Sequence, residues 1–296
     1  MRAGMHYTVE HLTRYAYTAP VSQSWQLARL TPRELPWQRL VSHALHIDPL
    51  PDERRDELDS FGNTVTHFGL HGAHRVLAVR MACAVEVGER PAVVPLGAHD
   101  PPWEAVRDAI RHATRHDDLE PASLCEPTPL LPFSDAALAY AGASFTGGRA
   151  WIDAVRSLMH RIHADFAFEP GATTVSTSVD EVLAQRRGVC QDFAHLMLAC
   201  LRGLGLPARY VSGYLLTEPP PGRPRLMGVD ASHAWVAAYS PQHGWVEFDP
   251  TNDQLADTRY ITLGWGADFA DVAPLRGVFF GGGEQRLQVA VSVSPA

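Results

Sequence analysis

The stretch at residues 190–205, CQDFAHLMLACLRGLG, constrains the fold more than any other part of the chain. Read as a helix, it is apolar around almost its whole circumference. Such a helix is surrounded by protein on all sides, because a surface helix keeps one polar face. The pattern therefore predicts a central helix that begins at Val189 or Cys190 and has a domain built around it.

Helical patterns precede this segment and strand patterns follow it. The spacing of apolar residues predicts helices from Pro102 onward and over about 150–164. Ser178 and Glu181 form a capping-box signature for a short helix, which Gly188 then ends. Further along, ARYVSGYLL, SHAWVAAYS and GWVEFDP are rich in β-branched and aromatic residues, which is typical of an antiparallel sheet. Helices followed by such a sheet indicate the α+β class.

The first third of the chain has a different pattern. Between residues 5 and 95, short apolar or alternating stretches are separated by Pro, Gly, Asn and Asp, which predicts a β-rich region. The stretch 91–102, PAVVPLGAHDPP, carries four prolines and is typical of a domain connection. We expect an N-terminal β domain at 1–95 and a catalytic domain at 96–296 with its core at 150–265. The alternating tail QRLQVAVSVSP predicts a final strand.

Cys190 stands at the first turn of the predicted central helix, where the helix end changes its chemistry. Unpaired backbone N–H groups and the positive end of the helix dipole stabilise a thiolate there. Catalysis also needs a histidine to protonate the leaving amine and a carboxylate to orient that histidine. His233 and Asp249 supply both from two predicted strands. Antiparallel pairing across a turn at 241–244 is expected to place His233 opposite the far end of its partner strand, which completes a Cys-His-Asp triad.

Composition argues against several other kinds of protein. A net charge of -8 and a pI near 6.0 give no clustered basic surface, so nucleic acid is not an expected partner. The four cysteines form no C-x-x-C pair, and Cys190, His233 and Asp249 lack the local spacing of a zinc site. We therefore expect no disulfide framework, no metal and no other cofactor.

No apolar run is long enough to cross a membrane and no signal peptide is visible, which predicts a cytoplasmic protein without a membrane partner. The sequence leaves the oligomeric state open.

The motifs around these residues carry a family resemblance. The segment RRGVCQDFAHLMLACLRGLGLPARYVSGYL, followed by ASHAWVAAY and GWVEFDPTND, resembles the core of the transglutaminase-like superfamily, especially its branch of candidate bacterial cysteine proteases. The N-terminal pattern YTVEHLTRYAYTAPVSQSWQLARLTPR resembles the β domain that accompanies such cores in bacteria. Calcium dependence is not expected, because no Asp-rich loop of the EF-hand type is present.

The resemblance implies a papain-like arrangement acting on a peptide or protein. In it, Cys190 attacks an amide, His233 serves as base and then as acid, and Asp249 orients the imidazole. The reaction passes through a thioester intermediate on Cys190. Water as second nucleophile gives a peptidase or amidase, which is the activity we expect. An amine gives a transglutaminase instead, and a non-catalytic peptide-binding module is the third possibility.

Several neighbours of the predicted triad receive other roles. The backbone N–H of Cys190 is the natural oxyanion donor, and the second donor stays open, since the helical position of Trp151 favours packing. His195 is expected to be a hydrogen-bonded core or wall residue, and Asp192 to stabilise the helix N-terminus. The connection 217–230 is long and proline-rich, which predicts a loop bordering a binding cleft. Three further positions are expected to be structural, one as a buried hydrophobe and two as surface or interdomain ion-pairing residues: Cys200, Arg29 and Arg33.

Overall fold

The computed structural model describes residues 4–91, 100–113, 115–217 and 232–296. Within them the chain forms two large antiparallel sheets, with a group of helices between them in chain order. This architecture confirms the predicted α+β class. The connection at 91–102 and the loop at 217–230 lie mostly outside the described residues.

The first sheet is built on one very long strand. This strand, β1, pairs with one neighbour through its first half and with another through its last five residues. Its residues alternate between buried and exposed, so that Tyr7, Val9, His11 and Thr13 all face the core. The order is β2-β5-β1-β4-β3. The strands are β1 (Met5–Ala28), β2 (Gln38–Asp48), β3 (Glu53–Leu58), β4 (Thr64–Leu70) and β5 (His74–Val87).

Six helices follow in the described part of the chain: α1 (Trp103–Arg111), α2 (His116–Ser123), α3 (Asp135–Gly142), α4 (Trp151–Asp165), α5 (Val179–Gln185) and α6 (Cys190–Gly203). The predicted helices α1, α4, α5 and α6 are confirmed, and so is the capping box of α5. That helix ends earlier than predicted, at Arg186 in the left-handed conformation (φ 55°), rather than at Gly188. The helices α2 and α3 were not predicted, because both are eight residues long and lack a clear apolar face. A short parallel pair, β6 (Ala167–Phe168) and β7 (Arg187–Gly188), flanks α5.

The second sheet has the order β11-β10-β9-β8-β12. Its two ends meet on one small apolar cluster, in which Ala256 and Tyr260 contact Trp235 from the central strand. The sheet therefore curls strongly about this cluster. Its strands are β8 (Ala208–Leu215), β9 (Ser232–Ser240), β10 (Gly244–Asp249), β11 (Gln254–Leu255) and β12 (Tyr260–Gly266).

The helix α6 is buried as the sequence predicts. Every residue from Asp192 to Arg202 is buried, and the helix packs on β9 and β8 of the second sheet. Its apolar side chains share one core with Val236 and Phe248. Full burial of a single side chain of this size contributes about 2 kcal/mol, so this helix is a main source of stability.

The last two strands leave the second sheet and complete the first one. After a short 3-10 turn, β13 (Leu275–Gly281) and β14 (Gln285–Pro295) both pair antiparallel with β1. The strand predicted at the tail is confirmed, but the expected domain at 96–296 assigned it to the wrong sheet. Alternation identifies a strand and its buried face, and it does not identify the partner. Here the buried face, with Val291 and Val293, belongs to the core of the first sheet.

The two sheets are joined by a shared core and by polar contacts. Tyr214, Ile261 and Leu263 of the second sheet belong to the same apolar cluster as the inner face of the first. Arg33 crosses this junction, with its guanidinium 3.6 Å from the ring centre of Trp265. The contact joins the two sheets, but it is a cation–π contact and not the ion pair that the sequence predicts. Arg29 instead pairs with Asp59, 3.2 Å away, within the first sheet. None of the described helices is both long and apolar enough to cross a membrane.

Candidate active site

Cys190 is the first residue of α6 and is partly exposed. Its backbone N–H lies in the first helical turn and has no acceptor within the helix. Asp192 supports this end of the helix, since its buried Oδ2 accepts hydrogen bonds from the Val189 N–H (2.7 Å) and the Thr173 hydroxyl (2.6 Å). Asp192 therefore has the structural role predicted for it, and Cys190 is held where a thiolate is stabilised.

His233 stands between the thiol and a carboxylate. The Cys190 thiol hydrogen-bonds the His233 ring, and His233 Nε2 lies 2.7 Å from Asp249 Oδ2. Since Nε2 is engaged by the carboxylate, Nδ1 is the ring nitrogen left for the thiol. The structure thus brings together the three side chains that the sequence singled out, although the first and the last of them are 59 residues apart along the chain.

The register of β9 and β10 differs from the expected one. Phe248 pairs with Val236, which places Asp249 opposite Trp235 and diagonal to His233. The strands close at Ser240 and Gly244, so β9 extends further past the end of β10 than we expected. Diagonal neighbours on one face of an antiparallel pair are still within reach of each other's side chains, and the contact is preserved.

Two opposing effects act on the pKa of His233. Burial lowers it, because a charged ring is poorly solvated inside the protein. The hydrogen bonds with Asp249 and Cys190, and the charges of these two groups, outweigh burial and raise the pKa to about 10. At neutral pH the imidazole is therefore held protonated next to the thiol, which favours a thiolate-imidazolium pair.

Asp249 is completely buried and accepts hydrogen bonds on both oxygens. Oδ1 receives the backbone N–H groups of Thr251 (2.8 Å) and Asn252 (3.2 Å), while Oδ2 receives the Asn252 side chain and the Tyr260 hydroxyl, each at 2.7 Å, besides His233. Burial acts to raise the pKa of Asp249, but the hydrogen bonds outweigh it and hold the pKa below its usual value. The carboxylate is therefore a fixed negative charge.

Three residues at the site were not found by reasoning from the sequence. Trp235 stacks beside His233, with ring centres 6.0 Å apart. Because Trp235 lies two residues after His233 on a predicted strand, the sequence could have placed both side chains on the same face of the sheet. Asn252 lies in the quoted motif GWVEFDPTND, three residues after Asp249. Tyr260 gives no local signal, because its place depends on the curl of the sheet.

Two other residues have the structural roles predicted for them. Trp151 is fully buried and stacks on His243, with ring centres 5.7 Å apart. His195 is buried and accepts a hydrogen bond from the Phe269 N–H at 3.3 Å, and burial lowers its pKa to about 4. Across the ranges that the structure describes, no group of three or more His, Cys, Asp or Glu side chains is arranged to hold a metal ion.

Comparison with known proteins identifies the family. Residues 139–250 match the model of the Transglutaminase-like superfamily, and residues 7–86 match that of the Bacterial transglutaminase-like N-terminal region. An uncharacterized protein of Mycobacterium tuberculosis strain H37Rv is 43% identical over 304 aligned residues, which cover 99% of this chain and 94% of that protein. The chain belongs to the transglutaminase-like superfamily.

One solved structure and one further relative are also similar to this chain. A crystal structure of a candidate cysteine protease from Cytophaga hutchinsonii covers 99% of this chain and 91% of its own, with a TM-score of 0.77 and 18% identity, so the two chains share one fold. The Protein-glutamine gamma-glutamyltransferase of Pseudomonas aeruginosa is 38% identical over 101 residues. That alignment covers 33% of this chain and 15% of the longer protein.

Proposed function

We propose that this chain is a thiol-dependent amide hydrolase that acts on peptides or proteins through Cys190, His233 and Asp249. The observation that carries the proposal is the unbroken series of contacts from the Cys190 thiol through His233 to the buried Asp249 carboxylate, 2.7 Å from the ring. Membership of a superfamily built on thiol chemistry supports it.

In the first half of the reaction, the Cys190 thiolate attacks the carbonyl carbon of the substrate. The new S–C bond forms as an electron pair moves onto the carbonyl oxygen, where the Cys190 backbone N–H donates to the developing charge. His233 then gives its proton to the leaving nitrogen, the C–N bond breaks and the amine departs. The product on the enzyme is a thioester.

In the second half, neutral His233 takes a proton from water as the oxygen attacks the thioester carbon. The S–C bond breaks, the carboxylic acid leaves and the thiolate-imidazolium pair is restored. Throughout, Asp249 keeps the imidazole in one orientation and stabilises its charged form. If an amine replaces water, the same residues form a new amide, and the protein is a transglutaminase.

Amine transfer is the second candidate function, and the glutamyltransferase relative in Pseudomonas aeruginosa supports it. The chain offers a clean way to separate the two outcomes. It contains no lysine, so none of its own side chains can act as the amine donor. An amine that becomes attached to a substrate therefore cannot come from a side chain of this protein.

The test is incubation with a library of glutamine-containing peptides, with and without a fluorescent primary amine. Ammonia release without incorporation supports hydrolysis, incorporation supports transfer, and inertness supports the non-catalytic binding module. Cys190→Ala should lower either activity by at least about 10³-fold, because the nucleophile is lost. Cys125→Ala is the matched control and should keep full activity. Undiminished turnover in Cys190→Ala would exclude the proposed mechanism.

A further inference from the structure

Tyr260 reaches the candidate triad from the far edge of the second sheet. It is the first residue of β12, which lies three places from β10 in the strand order. In a flat sheet, strands three places apart are separated by about 14 Å. The curl of this sheet removes that distance, and the Tyr260 hydroxyl lies 2.7 Å from Asp249 Oδ2. Tyr260 is completely buried, so no water competes for this contact.

The direction of this hydrogen bond is fixed by a chain of donors behind it. Arg259 Nη2 donates to Gln254 Oε1 at 2.8 Å, and this orients the amide, since a guanidinium can only donate. Gln254 Nε2 then donates to the Tyr260 oxygen at 2.5 Å. The single hydroxyl hydrogen of Tyr260 is therefore left for Asp249.

Tyr260 also contacts the imidazole side of the site. Its ring centre lies 6.1 Å from that of His233 and 5.2 Å from that of Trp235. On the opposite side, Arg90 Nη2 donates to the Tyr260 backbone carbonyl at 3.1 Å. The residue is thus held in place by neighbours from several elements and touches both members of the His-Asp pair.

We propose that Tyr260 is a positioning residue of the triad, which fixes the Asp249 carboxylate against His233 and withdraws part of the negative charge that the imidazole would otherwise meet. This inference rests on the proposed function. It assigns to β12 a role in the chemistry that the three predicted residues do not account for.

The expected effect of removing the hydroxyl follows from the charge on Asp249. Without this donor, more negative charge stays on Oδ2, which strengthens its attraction to the imidazolium and opposes a thiolate nearby. The pH profile of Cys190 alkylation should therefore move to higher pH. The charged and titratable groups that face this site are Cys190 on α6, His233 on β9, Asp249 on β10, Asp257 and Arg259 before β12, and Arg90 beyond the Tyr260 ring.

The experiment measures the rate of Cys190 alkylation by iodoacetamide from pH 4 to pH 10, read by mass spectrometry, and needs no substrate. Tyr260→Phe should shift the profile upward by about half a pH unit, which is about a threefold slower reaction on the acid limb. Tyr239→Phe is the matched control, because the buried Tyr239 hydroxyl donates to Asp118 at 2.7 Å, away from the triad. Its profile should overlay that of the wild type.

The outcomes separate this inference from the proposed function. If Cys190 of the wild-type protein reacts no faster than Cys125, the proposed function fails. If Cys190 is reactive and Tyr260→Phe either overlays the wild type or slows it equally at every pH, the positioning role is overturned. Should Tyr260→Phe not fold, Gln254→Leu frees the hydroxyl to rotate and should shift the profile in the same direction by a smaller amount. An unshifted Gln254→Leu profile would then overturn the role.

Discussion

Each of the two sheets holds a histidine that is largely shielded from solvent, and the pKa values of these two histidines are shifted in opposite directions. His11 on β1 is 1% exposed and has neutral partners, the Tyr214 hydroxyl at 2.8 Å and the Thr13 hydroxyl at 3.1 Å. Burial lowers its pKa to about 4. His233 on β9 is also largely shielded from solvent, at 10% side-chain exposure, yet its pKa is raised to about 10 by Asp249 and Cys190.

The difference shows what burial alone can and cannot do to an imidazole. Where only hydroxyl groups face the ring, desolvation decides, and the histidine is a neutral structural residue. Where a fixed carboxylate faces it, the ring stays charged despite burial. The first sheet therefore uses His11 as a scaffold residue, and the second sheet holds His233 in its charged form.

The strongest way to break this contrast is to remove the charge of Asp249. Asp249→Asn should turn the surroundings of His233 into those of His11, with a neutral and poorly oriented ring. We expect a loss of turnover on the order of 10³-fold, measured as kcat/KM on the peptide found in the library assay. Circular dichroism should show an intact fold. A loss of less than tenfold would mean that Asp249 does not act on His233 as described.

A second substitution tests how a residue that follows the first sheet stabilises the second sheet. Arg90, just after β5, pairs with Glu247 at 3.2 Å, and both side chains are buried. Glu247 also accepts the Trp235 indole N–H at 2.8 Å, directly behind His233. Arg90→Met should leave the buried Glu247 without its ion-pair partner and lower the free energy of unfolding by about 3 kcal/mol.

The matched control for this prediction is an exposed ion pair of the first sheet. Arg39 pairs with Glu86, with 62% and 32% of the two side chains exposed. Arg39→Met should leave the urea unfolding curve nearly unchanged, because solvent screens the pair. Equal losses in the two variants would show that the Arg90 contact adds no more than a surface pair.

The smallest expected effect concerns the pH dependence of stability through His11. Its folded pKa lies below the unfolded value of 6.5, so the unfolded chain binds more protons between these values. Its contribution is therefore fully present above about pH 6.5 and is lost as pH falls toward 4. We expect the fall in unfolding free energy over this window to be about 2 kcal/mol smaller in His11→Gln than in the wild type.

The exposed His46 on β2 provides the control for that measurement. His46→Gln should follow the wild-type curve in urea titrations at pH 4, 5, 6 and 7. His195, whose pKa is also lowered to about 4, should keep part of the slope in every variant. If the unfolding free energy of His11→Gln depends on pH as steeply as that of the wild type, His11 does not contribute to this pH dependence.

The sequence predicted the parts of this molecule that depend on local pattern. The apolar circumference of residues 190–205 identifies α6, and the motif around Cys190 identifies the helix end that carries the thiol. The three predicted site residues are in contact, and their catalytic roles stay a prediction. The register that joins His233 to Asp249 was wrong by two positions, because it depends on where the strands close.

Features that depend on long-range geometry were not predictable in this way. The tail at 285–295 signals a strand, but the choice of β1 as its partner depends on the arrangement of the whole core. Tyr260 lies 11 residues from Asp249 and meets it only because the sheet curls. The αL end of α5 at Arg186 was missed for a similar reason, since Gly188 is the better local signal for a helix end.

The pairing of β14 with β1 has a consequence for synthesis on the ribosome. Tyr7 pairs with Pro295, which is synthesised 288 residues later. Contacts between such distant positions close a very large loop, which slows folding. While the helices and the second sheet can form as they emerge, one edge of β1 stays open until β13 and β14 have been synthesised. An open strand edge is a site of mispairing, and a chaperone that covers β1 during this interval would raise the yield of folded protein.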